Sequence, residues 1–114
     1  TCTTGKQWKY VLSDESRRSY AGFLKSPFAE AEQGLYYDRI KDGTEWHQPQ
    51  GQNGPIPRKT AWMVGKGCNC QYTYGGIQVD AQLFPPWMIE LMQKVMPHCG
   101  ITNQADWPNS CNLN

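Results

Sequence analysis

Apolar positions along the chain fall into short sets with different spacings, and each set predicts its own element. Trp8, Tyr10 and Leu12 alternate with polar neighbours over Gln7–Leu12, the period-two pattern of a half-buried strand. Ser13-Asp14 follows as a helix N-cap, with Asp14 and Glu15 placed where the helix dipole favours acids. Tyr20, Phe23 and Leu24 then recur at helical spacing, and Pro27 sets the end of that predicted helix. Tyr36–Lys41 and Thr44–His47 flank Asp42-Gly43, a pair that predicts a hairpin because both turn residues need positive φ. Pro49–Pro57, crowded with proline and glycine, reads as a loop.

Lys59–Val64 resumes as a strand and Gly65–Gly67 turns it. Cys70–Val79 predicts a second long strand, in which Gly75-Gly76 marks a bulge or a close backbone approach. Phe84-Pro85-Pro86 opens a helix, since proline suits the first helical positions. Trp87, Leu91 and Val95 form its core stripe, Met88 and Met92 fill gaps beside them, and Pro97 ends it. Trp107–Asn114 enters a last extended segment with no evident partner. The class is therefore α+β, with about five strands and two helices. An unpaired terminal strand is an exposed edge, which complete domains avoid. One partial domain is expected over 1–114: residues 7–56 carry a helix, hairpin and loop, and 57–114 carry the first sheet strands and a supporting helix.

Composition changes this picture in three places. With 114 residues, 39% hydrophobic and 18% charged, the chain is short and modest in core material. No apolar run approaches the ~18 residues of a membrane span. Five Trp, six Tyr and three Phe are too many for a solvated tail. The net charge of +1 hides a split. Ten of the eleven Lys and Arg lie in residues 1–66 with seven acids, leaving that part at +3; residues 67–114 hold one Lys and three acids, or −2. Five cysteines, an odd number without regular spacing, do not describe a disulfide framework. Cys68-Asn69-Cys70 lacks the further ligands of a zinc knuckle, even with His98-Cys99 recruited. A reduced, intracellular protein is expected, in nucleus, cytoplasm or organelle.

No phosphate-cradling glycine loop and no nucleophile elbow occur. His47 and His98 stand in no His-x-Asp or His-x-Glu pairing, so no catalytic residue and no metal ligand is assigned. What the chain does hold is Arg58-Lys59 beside Trp62, then Tyr72 and Tyr74 on one face of the next segment. Cations next to stacking aromatics suit a phosphate joined to an unstacked base.

Pro57-Arg58-Lys59-Thr60-Ala61-Trp62, followed by Tyr72-Thr73-Tyr74-Gly75-Gly76, resembles the substrate-recognition half of AlkB-type Fe(II)/2-oxoglutarate-dependent dioxygenases. Trp46-His47, the Phe84-Pro85-Pro86-Trp87 helix opening and Pro108-Asn109-Ser110 with Asn112-Leu113-Asn114 fall in the family's order, so the resemblance covers about residues 8–114. It implies the N-terminal part of a double-stranded β-helix (jelly-roll) oxygenase fold, an incomplete barrel. The chemistry it implies is oxidoreductase and DNA-repair chemistry: an N-alkyl group on a nucleobase, or in some members on a protein or lipid, is hydroxylated and lost as formaldehyde. By the same resemblance Arg58 and Tyr72 line the base pocket and Trp62 supports its wall; Tyr74, on the face of Tyr72, is a further substrate-binding candidate. The Tyr36–His47 hairpin would be the nucleotide-recognition lid that extrudes the base. Asn114 would bond 2-oxoglutarate.

The family's iron ligands, His-x-Asp and a later His, follow an Asn-x-Tyr motif, and this chain stops at the Asn of that motif. Gly75 stands where several members have Ser, and Ile40-Lys41 offers no aromatic wedge. The expectation is thus a substrate-recognition segment for alkylated nucleic acid. Fe(II) and 2-oxoglutarate belong to a full-length parent, and the segment alone would be inactive. Two other readings stand beside it: a non-catalytic AlkB-derived subunit packed on a larger assembly, and a small domain binding single-stranded nucleic acid through Arg58, Tyr72 and Tyr74.

Overall fold

The computed structural model describes residues 8–114, which form a mixed α+β fold of small sheets and two α-helices, with no closed barrel. Its first unit is a hairpin of β1 (Lys9–Asp14) and β2 (Ser19–Phe23), paired from Lys9↔Phe23 to Asp14↔Ser19. The helix expected after Asp14 is therefore absent. The cap signal was real in chemistry but used differently. Asp14 Oδ1 accepts from Arg17 N–H at 3.2 Å, the contact a helix N-cap would make, and also from the Ser16 hydroxyl at 2.6 Å. Arg18 then takes φ +48, and Arg18 N–H donates to the Glu15 carbonyl, so the chain reverses instead of winding on. Tyr20 and Phe23, read as a core stripe, stay exposed.

The helix lies further on, as α1 (Glu30–Gly43). It overrides the hairpin expected around Asp42-Gly43. Ala29, Ala31, Gln33 and Leu35 are good helix formers, Glu30 and Glu32 sit in the first turn, and Lys41 in the last, matching the dipole. Gly43 serves close approach, not a turn. A Cβ there would lie 2.9 Å from Trp87 Nε1. Only Tyr36 of α1 is buried, so the helix showed little apolar periodicity. Polar contacts join it to the second helix: Tyr36 hydroxyl to Glu90 at 3.0 Å, Arg39 to Glu90 at 3.2 Å and Lys94 to Glu32 at 2.9 Å.

The expected loop at Pro49–Pro57 closes on itself through two short strands, β3 (Gln50–Gly51) and β4 (Gly54–Pro55). The main sheet has the order β8-β5-β9, with β5 (Ala61–Val64) central. It runs parallel to β8 (Ala81–Leu83) and antiparallel to β9 (Ser110–Leu113). The last segment is thus paired after all, through Ala61↔Leu113 to Val64↔Ser110. Between β5 and β8, the stretch expected as one long strand folds into a hairpin of β6 (Tyr72–Tyr74) and β7 (Ile77–Val79). Gly75 and Gly76 take φ +52 and +79, the double positive φ of a tight turn between two antiparallel strands.

Helix α2 (Pro86–Val95) opens on its prolines as expected and continues into a 3₁₀ turn, Met96–Cys99. Its buried residues are Met88 and Met92, while Trp87 and Leu91 pack around them only partly buried. With Met63 of β5 they make the core, flanked by Phe84, Trp107 and Leu113. Flexible thioethers fill this small irregular space well. Met63 thus faces the core on one side of β5; Trp62 and the buried Val64 share the other side, which carries the site.

Candidate functional site

Alternation on β5 puts Met63 toward the core and Trp62 on the opposite face. The β6–β7 hairpin brings Tyr72 against that indole, with ring centroids 5.0 Å apart and planes 28° from parallel. Tyr74, two residues on, lies 5.3 Å from Tyr72 in a tilted arrangement. Arg58, three residues before β5, holds its guanidinium 5.4 Å from the Tyr74 ring centre. Its Nη2 donates to the Tyr74 hydroxyl, and its Nε donates to Asn114 Oδ1 at 3.3 Å. Asn114 reaches that position because β9 pairs with β5 up to Leu113. Trp62 is fixed in turn by donating Nε1–H to the Cys70 carbonyl at 2.8 Å.

All five sequence-predicted site residues therefore meet in one continuous run: Trp62, Tyr72, Tyr74, Arg58, Asn114. Arg58 has five N–H donors and uses two of them in this run. The rest suit an anion that offers two acceptor oxygens, since guanidinium binds phosphate or carboxylate through paired donors.

Arg58, Lys59 and Asn114 also form one wall of an open cavity of about 560 Å³. The facing wall is the C-terminal part of α1, through Tyr37, Ile40, Lys41 and Asp42, together with Trp46. Three cations against one carboxylate leave it positive. Trp46 is braced by its own Nε1–H, which donates to the Lys41 carbonyl at 2.9 Å. The lid region expected at Tyr36–His47 does border the site, but as a helix end and a tryptophan, not a hairpin. Tyr37 and Lys41 were missed as lining residues because a hairpin reading hid their shared helix face. Their spacing of four was the signal.

Among the described residues no three His, Cys, Asp or Glu side chains converge on a point that would hold a metal ion, so they do not fit an iron centre. His47 Nε2 lies 3.9 Å from Glu45 without a third partner of that kind. Among the same residues, no helix is long and apolar enough to cross a membrane. Neither a family model, nor a curated protein, nor a solved structure matches the chain.

Proposed function

We propose that this chain is the substrate-recognition segment of an AlkB-like oxidative dealkylase acting on alkylated nucleic acid, the N-terminal part of a jelly-roll oxygenase. One observation carries the reading. The positions singled out as site residues, Arg58, Trp62, Tyr72, Tyr74 and Asn114, come from three separate stretches of the chain yet adjoin in space. In this reading a flipped base stacks on the open side of the Tyr72–Tyr74 pair. Arg58, Lys59 and Lys41 take the flanking phosphates, and Trp46 closes the cavity from the α1 side. Recognition is the part assigned to this chain. The described residues offer no iron site, so no step of the oxidation is routed through them.

Fluorescence anisotropy with a labelled single-stranded oligonucleotide carrying one N-methylated adenine tests the proposal. Binding should weaken as salt rises, because cation–phosphate contacts release counterions. Tyr72→Ala should weaken it by about 5- to 150-fold, the range for losing one base-stacking platform. Arg58→Ala should flatten the salt dependence. Salt-independent binding, or wild-type affinity in both variants, would overturn the reading.

A second reading, a non-catalytic subunit of AlkB-like descent, is favoured by the apolar side chains the β1–β2 hairpin leaves in solvent: Tyr10, Val11, Leu12 and Phe23. It requires Val11→Lys with Phe23→Lys to release a copurifying protein while oligonucleotide binding is unchanged.

A further inference from the structure

Between β5 and β6 the chain turns and carries Cys68 and Cys70, separated by Asn69. Both are free thiols, Cys68 half-buried and Cys70 exposed, and their sulfurs lie 3.1 Å apart. Backbone contacts hold the turn on both sides. Gly65 N–H donates to the Asn109 carbonyl at 2.8 Å, and Cys68 N–H donates to the Gly65 carbonyl at 3.2 Å. At the far side the Cys70 carbonyl receives the Trp62 indole N–H. A disulfide needs sulfurs about 2.05 Å apart, so closure asks for an approach of about 1 Å in an exposed turn.

We infer that Cys68 and Cys70 form a redox-active dithiol that closes into a disulfide within this one turn, shifting the carbonyl on which Trp62 rests. The two thiols are not equivalent. The Cys70 backbone N–H and then the Cys70 thiol donate to Cys68, which pulls the Cys68 thiol below its usual range. Cys70 is pushed up by that same bond to Cys68. Cys68 is therefore the nucleophile and Cys70 the resolving thiol.

With a peroxide as oxidant the atoms balance. The Cys68 thiolate attacks one peroxide oxygen, the O–O bond breaks, and hydroxide leaves to be protonated to water. Cys68 is now a sulfenic acid. The Cys70 sulfur attacks the Cys68 sulfur, the S–O bond breaks, and a second water departs with the Cys70 proton. Two thiols have lost two electrons and two protons, and one peroxide has become two waters. A dithiol reductant reverses the change by thiol–disulfide exchange.

The chemistry is independent of the nucleic-acid reading, since it needs no bound ligand and is read by mass alone. Trypsin releases Gly67–Lys94, a peptide holding Cys68 and Cys70 and no other cysteine. After brief treatment of the folded chain with hydrogen peroxide, then iodoacetamide, this peptide should lack two hydrogens and carry no alkyl group. Exposed Cys99 should remain alkylated, and dithiothreitol should restore both thiols. In Cys70→Ala the Cys68 sulfenic acid has no resolving partner and should run on to sulfinic acid. Wild-type peptide alkylated at both positions, as readily as Cys99, would overturn the inference, as would oxidation to sulfinic acid in the wild type. The link to Trp62 is read by fluorescence: a difference in emission between reduced and oxidised wild type should vanish in Trp62→Phe. Equal differences in both proteins would sink that link.

Discussion

Truncating Met63 to alanine is expected to cost about 3 kcal/mol of folding stability. Met63 is fully buried on the central strand, and its two buried neighbours, Met88 and Met92, come from α2. Core Met→Ala changes span about 2–5 kcal/mol, depending on how far the surroundings collapse into the space left. Here the neighbours are thioethers with three rotatable bonds, which relax better than branched chains, so the middle of that range applies. A small domain has only about 5–15 kcal/mol in all. Among the described residues eight apolar side chains are buried, a small core that places it toward the bottom. Urea unfolding followed by far-UV circular dichroism reads the loss. With a slope of about 1.5 kcal/mol/M the midpoint should fall by about 2 M at unchanged slope. Met63→Leu, which conserves volume, should cost less than about 1.5 kcal/mol. Leu83→Ala, at a side chain 62% exposed, should stay within about 0.5 kcal/mol of wild type. A midpoint for Met63→Ala within about 0.3 M of wild type would refute the placement of the core against this face of β5.

Two glycines of α1 should respond with opposite sign. Gly34→Ala should stabilise by about 0.5–1 kcal/mol, as its Cβ meets nothing within 4 Å. Gly43→Ala should destabilise by about 1–3 kcal/mol through crowding against Trp87, and calorimetry of the pair decides it. Gly76→Ala, at φ +79, should cost about 1–2 kcal/mol and broaden the Tyr72 and Tyr74 ring signals in NMR. Asp14 is held below the usual carboxylate value of 3.8 by the Ser16 hydroxyl and the Arg17 N–H. A lowered carboxyl stabilises the β1–β2 turn fully above 3.8 and loses that contribution as pH falls through its lower folded value. Amide shifts of Ser16 and Arg17 should follow that titration in wild type and lose it in Asp14→Asn.

The β5 strand and the proline-opened α2 could be read from sequence because strong local signals agreed with their final surroundings. Three other elements were misread for a common physical reason: a residue's chemistry was right while its use was tertiary. Asp14 does cap backbone donors, but Arg18 adopts a left-handed conformation that no local preference for arginine announces. Gly43 does matter, yet its missing side chain makes room for an indole from α2, a contact no local window contains. Gly75-Gly76 does relieve steric limits, and the choice between bulge and turn was decided by whether Tyr72 finds Val79 across the hairpin. The last strand was judged partnerless because its partner lies far upstream. Arg58, Trp62, Tyr72 and Tyr74, singled out by residue type, and Asn114, singled out by resemblance, adjoin in the fold. The contacts that join them come from the β6–β7 turn and the β5–β9 pairing rather than from any local pattern.

Both neighbours of β5 follow it in the chain, so on the ribosome Ala61–Val64 emerges with neither present. Leu113 is made 52 residues after Ala61, a wait of roughly 3–10 s at ordinary rates of synthesis. Until Ala81–Leu83 is made, Ala-Trp-Met-Val is open on both sides, and until Ser110–Leu113 is made it stays open on the β9 side, a form prone to pair with another nascent copy. Slow codons or a chaperone acting between those two points should therefore change the yield of soluble product without any change in the sequence of the strand.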